Sequence, residues 1–390
     1  MSTPSLRKLK VMTVVGTRPE VIKLSRVIHE LDQQTDHVLV HTNQNFDREL
    51  NEVFFEQLEI RPPDHVLDAA AETPAGTIAN VIARCDSVLQ QEKPEAFLLL
   101  GDTNSCLAAI AAKRRKIPIF HMEAGNRCFD YRVPEEINRR LVDHISDVNL
   151  PYTEHARRNL LAEGLPADLV IKTGSPMKEV ISFAMAKAEQ SKVLAELELK
   201  PGEFFVVSAH REETVDDAGN FTDLAQTLNA VAQRYAAPVI VSTHPRTRKR
   251  LEEPGKPSFD SKIRFLRPLG FHEYLTLQKN AMCVLSDSGT LTEEAALVGF
   301  PGVMIRNTHE RPEGMDEGIV VMAGLQPERV LRAIELVTAQ RRQGVRFQLP
   351  PDYDCDNVSQ KVVRIILSYT DYVNDTVWKK RPGRAATPAE

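Results

Sequence analysis

Carboxylates and cations recur in this chain at one kind of place, directly after short apolar runs. The clusters are Gly16-Thr17-Arg18-Pro19-Glu20, Thr42-Asn43-Gln44-Asn45, Gly101-Asp102-Thr103-Asn104-Ser105 and Met122-Glu123-Ala124-Gly125-Asn126. Further along come Ala209-His210-Arg211-Glu212-Glu213, His244-Pro245-Arg246, Asp287-Ser288-Gly289-Thr290 and Asn307 to Glu313. Ser288-Gly289-Thr290 opens a helix predicted over 291–298, whose free N–H groups and positive dipole end suit a diphosphate. Glu294, one turn inside, could accept hydrogen bonds from a ribose diol; the alternative is a capping box of Thr290 with Glu293. Arg18 follows the first apolar run and Lys23 sits one turn into the next helix, so both cations can face an anionic ligand. Glu135 and Arg139 are four apart on a helix that Pro134 begins, and form either an i,i+4 salt bridge or part of a pocket. His210 taken alone reads as a half-buried histidine. Within the charge run Arg246, Arg248, Lys249 and Arg250, most is solvated surface, and only His244 and Arg246 are poised at a strand end. Asp354-Cys355-Asp356 has a metal-binding spacing, but it lies away from any strand end and reads as helix N-terminal carboxylates. There is no Gly-x-Gly-x-x-Gly fingerprint and no Walker loop, which removes support for hydride transfer and ATP hydrolysis.

The elements that must position these clusters alternate between β-branched runs and amphipathic segments, the pattern of βα units around parallel sheets. The fold class is α/β. Strands are predicted over 10–15, 37–41, 96–100, 117–121, 147–150 and 169–173, then over 204–208, 239–243, 263–265, 282–286 and 302–305. A length of 390 residues suggests two domains, with the boundary near Ser175. Ligands of open parallel sheets bind at the strand ends, so two such sheets imply one interdomain cleft. The charge balance, 49 basic against 54 acidic residues, gives no electrostatic reason to bind nucleic acid or an anionic membrane. Five scattered cysteines without a Cys-x-x-Cys pair fit a reducing cytoplasm, and no apolar run reaches membrane-spanning length. No repeat appears, and residues 379–390 read as a frayed tail.

In order along the chain, these clusters resemble the non-hydrolysing UDP-N-acetylglucosamine 2-epimerase family over about residues 10–372. The motifs that carry the resemblance are Gly16-Thr17-Arg18-Pro19-Glu20, Gly101-Asp102-Thr103, Glu123-Ala124-Gly125, Pro134-Glu135-Glu136 with Asn138-Arg139, His210-Arg211-Glu212, Asp287-Ser288-Gly289 with Glu293-Glu294, and Glu310-Arg311-Pro312-Glu313. The resemblance implies a GT-B architecture of two facing Rossmann-like domains. On that basis 1–174 is the N-terminal domain with the acid/base residues and 175–356 the UDP-binding domain. A helix over 357–378 crosses back to the first domain, and 379–390 is the tail. It assigns Lys23, Asp102, Glu123, Glu135, Arg139 and His210 to the catalytic pocket. Arg18, His244, Ser288, Gly289, Thr290, Glu294 and Arg311 fall to the UDP portion.

The implied reaction inverts C2 of a UDP-N-acetylhexosamine by eliminating UDP to a 2-acetamidoglucal and adding it back, with no redox cofactor and no metal. A homodimer is the family expectation, with the UDP-sugar as ligand and neither nucleic acid nor membrane as partner. Residues 43–46, Asn-Gln-Asn-Phe, depart from the Gln-His-Arg run common in the family. Together with the short segment Asn126–Arg132 they look more like the branch forming UDP-N-acetyl-L-fucosamine from a 6-deoxy-L-talose derivative. There, Phe129 is expected to pack against a C6 methyl group. The rival readings are a GT-B glycosyltransferase, a hydrolysing epimerase and a noncatalytic nucleotide-sugar-binding protein.

Overall fold

The protein is described from a computed structural model, which covers residues 7–44, 48–243, 245–252 and 257–380. It divides into two compact units, one comprising Met1–Asn126, Pro134–Pro176 and Asp356–Glu390, the other Arg127–Val133 and Met177–Cys355.

In the first unit, β1 (Lys10–Val15), β2 (Asp36–His41), β3 (His65–Val66), β4 (Ala96–Leu100), β5 (Ile119–Met122) and β6 (Val148–Leu150) form a six-stranded sheet in the order β3-β2-β1-β4-β5-β6. Every neighbouring pair runs parallel. β1 and β4 read as continuous apolar runs because a parallel sheet is covered on both faces. Helix Val358–Thr376 belongs to this unit and packs against helix Arg18–Gln34.

The second unit repeats the plan with β7 (Phe205–Ser208), β8 (Val239–Ser242), β9 (Ile263–Leu266), β10 (Cys283–Ser286), β11 (Gly302–Met304) and β12 (Val320–Met322), ordered β12-β11-β10-β7-β8-β9. Phe205 and Val207 enter one core while Phe204 and Val206 enter the other, the period-2 alternation of a strand buried on both sides. Both sheets thus have the doubly wound Rossmann-like order of the GT-B class. In each, strand order reverses beside the first strand of the unit, β1 against β4 and β7 against β10, and that is where such sheets bind ligands.

Several expectations need correction. Residues 169–173 do not form a strand: a 3-10 turn occupies Ala167–Leu169, and a single bridge joins Val170 to Asn149. Ile171 N and Thr173 N do bond to Asn149 O and Pro151 O, so the segment follows the sheet edge after Pro166 without completing a ladder. The short edge strands β3 and β12 carry too few residues for a period to show in the sequence. Residues 127–133 group with the second unit although sequence continuity places them in the first. Asp130 there is held low, to about 2, by its hydrogen bond from Arg132 and, to a smaller degree, by the charge of Arg306. Of the expected tail, Lys379 and Lys380 are described, with Lys380 Nζ donating to Lys116 O at 2.7 Å, and residues 381–390 lie outside the described residues. All five cysteines are free, and burial pushes the Cys85 thiol up to about 12 and raises Cys106 and Cys283 as well, which makes these three inert core residues. Among the described residues no helix is long and apolar enough to cross a membrane.

Candidate active site

In the first unit the switch point lies between the loops that leave β1 and β4. Thr17 precedes helix Arg18–Gln34, with Pro19 in its first turn, where the missing N–H is no loss. One turn in, Lys23 is buried and its Nζ lies 2.5 Å from Glu123 Oε2. Glu123 follows β5 and holds φ at +63°, the left-handed region that favours glycine. The turn behind it forces that geometry. Gly125 N donates to both oxygens of Asp143 at 3.2 Å, and Asn159 Nδ2 donates to Gly125 O at 3.0 Å. A Cβ on Gly125 would lie 2.3 Å from Ala156 O. Asn126 Nδ2 donates to the other carboxylate oxygen, Glu123 Oε1, at 3.3 Å.

Beside this pair, Arg139 Nη2 lies 2.6 Å from Asp102 Oδ2, with Arg139 2% exposed and Asp102 20%. Glu136 holds the same guanidinium from one turn back at 3.2 Å, and Asn138 Nδ2 donates to Asp102 O at 2.9 Å. Helix Pro134–Ile145 therefore grips the loop after β4 through side chain and backbone together. His121, fully buried, links the two strand ends, with Nε2 donating to Gly101 O at 2.9 Å and Nδ1 3.0 Å from Asp143 Oδ1. Glu135 sits half-buried in the first turn of the same helix. Arg18 begins its helix, its guanidinium 5.8 Å from the centroid of the Phe54 ring. Buried Thr42 Oγ1, Gln44 Oε1 and His41 Nε2 stand nearby in sequence without a hydrogen-bond partner among the described residues.

In the second unit, Asp287 organises the switch point. Its Oδ2 accepts the backbone N–H groups of His210 and Arg211, each at 2.9 Å, and its Oδ1 is 3.3 Å from His210 Nδ1. The loop after β7 is thereby tied to the loop after β10, and the His210 side chain stays 35% exposed. Helix Leu291–Val298 follows with Thr290 at its start, but the Thr290 side chain makes no cap. The capping box is not formed, because Glu293 is fully buried and accepts from Arg311 Nε at 3.2 Å. Thr290 Oγ1 instead meets Ser288 Oγ at 3.0 Å. Glu294 Oε2 accepts from Gln278 Nε2 at 2.6 Å, which fixes its carboxylate. Gly289 leaves room that a Cβ would fill 3.3 Å from Glu310 Oε2. The Arg311 guanidinium is buried between Glu293 and Glu310 O. Behind it, Tyr353 OH donates to Glu313 Oε1 at 2.6 Å, and burial pushes the Glu313 carboxyl above its ordinary range.

Of the residues singled out from sequence, Lys23, Asp102, Glu123 and Arg139 come together as two ion pairs in the first unit, while His210, Ser288, Gly289, Thr290, Glu294 and Arg311 lie at or beside the switch point of the second. His244 lies outside the described residues, as do Asn45 and Phe46. Sequence reasoning missed Glu20, Glu136, Gln278 and Asp287 as organisers. Asp287 carried one signal, an acid directly at a strand end before Ser-Gly.

A family model described as UDP-N-acetylglucosamine 2-epimerase matches residues 29–367. The solved structure of UDP-N-acetylglucosamine 2-epimerase from Rickettsia bellii is similar with a TM-score of 0.90 and 54% identity, covering 96% of this chain and all of that one, 100%. The Methanocaldococcus jannaschii UDP-GlcNAc 2-epimerase in complex with UDP-GlcNAc and UDP is similar with a TM-score of 0.85 and 32% identity, covering 93% of this chain and 100% of that one. The UDP-2,3-diacetamido-2,3-dideoxy-D-glucuronate 2-epimerase of Pseudomonas aeruginosa is 36% identical over 330 residues, 83% of this chain and 91% of that protein.

Proposed function

The chain belongs to the UDP-N-acetylglucosamine 2-epimerase family, and from that premise we propose that it inverts C2 of a UDP-2-acetamido-hexose without net hydrolysis. The observation that carries the reading is the pairing of Glu123 with Lys23 and of Asp102 with Arg139 at the ends of adjacent strands.

The C2 hydrogen of such a sugar is not α to a carbonyl, so a base alone has little to pull against. Lengthening the C1–O bond puts positive charge toward C1 and makes that hydrogen acidic. A carboxylate then takes the C2 proton, the C2–H electrons form the C1=C2 double bond, and the C1–O electrons leave with UDP. A neighbouring cation favours the ionised form of a carboxylate, the form a base needs. Return of UDP to C1, with a proton delivered to the other face of C2, completes inversion. Two faces require two proton-transfer groups, a requirement that Asp102, Glu123 and Glu135 can meet. At the start of helix Leu291–Val298, the Gly289 N–H and the His210 ring supply donors for the departing diphosphate, while Ser288 N and Thr290 N are held by Ser286 Oγ and Ser288 Oγ; Glu294 offers an acceptor for the ribose. A glycosyltransferase would use the second unit in the same way, but has no need for two carboxylate–cation pairs beside a sugar. A noncatalytic binder needs neither pair.

The substrate we favour is UDP-N-acetylglucosamine, given the name of the 54% identical Rickettsia relative. A 6-deoxy-L-hexosamine remains the second reading, supported by the departures at 43–46 and 126–132; Phe129 is 70% exposed, so a sugar methyl would have to cover it on binding. We further propose a homodimer acting in the cytoplasm, which sedimentation and fractionation would test. Proton NMR of UDP-N-acetylglucosamine and the 6-deoxy-L-talose analogue incubated with the protein tests the function itself. Appearance of the C2 epimer without free sugar supports it, and free N-acetylmannosamine or no change contradicts it.

A further inference from the structure

We propose that Glu20 is a positioning residue for the C2 chemistry, a buried carboxylate that ties the loop after β1 to the loop after β4 and so fixes Lys23 and Asp102. The proposal rests on the epimerase reading for the identity of the reaction it serves. Its geometry is independent of that reading.

Glu20 is 1% exposed and touches donors at both ends. Oε2 accepts from Gly16 N at 2.5 Å and from Thr17 N at 2.9 Å, closing the start of helix Arg18–Gln34. Oε1 accepts from Thr103 Oγ1 at 2.6 Å and from Ser105 Oγ, both in the loop after β4. Gln44 Nε2 donates to Thr103 Oγ1 at 3.2 Å, which brings the loop after β2 into the same network. Gly16 is pressed into it, since a Cβ there would lie 2.2 Å from Thr42 Oγ1 and 2.9 Å from Ser105 Cβ. A single side chain thus joins the two loops on either side of the switch point, where β1 and β4 are neighbours. Lys23 lies one turn beyond Glu20 on the same helix, and Asp102 directly precedes Thr103. Burial pushes the Glu20 carboxyl up despite its four donors, so placing an acid here has a cost that the tie between the two loops offsets.

The mechanical role makes an ordering that a proton-transfer role does not. Glu20→Gln keeps the length, and the Thr103 and Ser105 hydroxyls can turn to accept from its amide while its oxygen still takes the Gly16 and Thr17 N–H groups. Glu20→Asp keeps the acid but is one methylene too short to span both loops. We expect Gln to retain more activity than Asp or Ala. For Glu20→Ala and Glu20→Asp, kcat should fall about 100-fold, the scale of a misplaced catalytic group, with KM and UDP affinity nearly unchanged. The pair Thr103→Val with Ser105→Ala leaves the helix cap intact and should reproduce the fall in kcat, which guards against a Glu20 variant that merely misfolds. Hydrogen exchange across residues 101–105 should quicken in the Ala and the double variant. Asp outperforming Gln, or kcat per folded molecule unchanged in Ala, would overturn the proposal. Should the wild-type protein show no C2 epimerisation, the functional reading fails and exchange alone decides: faster exchange at 101–105 in Glu20→Ala sustains the tie, and unchanged exchange refutes it.

Discussion

Lys23 Nζ and Glu123 Oε2 sit 2.5 Å apart, two buried side chains brought together from the helix after β1 and the turn after β5. Neither charge is accommodated alone, because an unpaired ion in such a place has lost its water without compensation. The pair is bought with backbone strain, for Glu123 is held at φ +63°.

That strain separates structure from chemistry. Glu123→Gly relieves the left-handed backbone and Glu123→Ala does not, so the glycine variant should be the more stable of the two by about 1 kcal/mol. Both lack the carboxylate and both should be inactive. Chemical denaturation and initial rates check this together. A glycine variant less stable than the alanine variant would show that the turn is not strained.

Gly16→Ala puts a Cβ 2.2 Å from Thr42 Oγ1 and 2.9 Å from Ser105 Cβ. Overpacking of this kind destabilises by about 1–3 kcal/mol. Adding Thr42→Ala removes the closer clash and should recover part of the loss, a coupling visible in a double-variant cycle. Strict additivity of the two changes would contradict the packing described.

Burial pushes the His41 imidazole down from its ordinary 6.5 to about 4. A depressed histidine binds its proton less well folded than unfolded. Its contribution is complete above pH 6.5 and is lost as pH falls through about 4, amounting to about 3 kcal/mol. His41 Nδ1 accepts from Asn43 N at 3.1 Å, an acceptor that His41→Asn can supply in part. The drop in Tm between pH 8 and pH 4.5 should be smaller in that variant than in the wild type. Equal drops would remove His41 from the acid sensitivity of this unit.

Division of labour between the units makes a further prediction. Glu294→Ala removes a carboxylate held by Gln278 at the helix end and should weaken UDP binding, whereas Asp102→Asn should abolish turnover and leave UDP affinity nearly intact. Titration calorimetry with UDP reads both. The reverse order would refute the division.

Much of this was legible in the sequence because apolar strands stop abruptly at polar clusters, which fixed where β1, β4, β5, β7 and β10 end. Asp102 and Glu123 could be placed near each other on that ground alone. The helix Leu291–Val298 was readable from Ser-Gly-Thr before an apolar run. What the sequence hid depends on long-range geometry. The Thr17 to Glu20 spacing is that of a capping box, but the bonds from Thr103 and Ser105, more than eighty positions away, exist only in the folded sheet. The left-handed backbone of Glu123 has no marker except the glycine two residues on. The excursion of residues 127–133 into the second unit is invisible in a continuous chain, as are strands of two or three residues at sheet edges.

The central claim is that a protein carboxyl group removes and returns the C2 proton. Turnover in heavy water tests it most directly, with C2 of product and recovered substrate followed by proton NMR and mass spectrometry. Exchange with solvent at that carboxyl predicts deuterium at C2 of the product, and of the substrate re-formed by the reverse reaction. Epimerisation with the C2 hydrogen fully retained would contradict it.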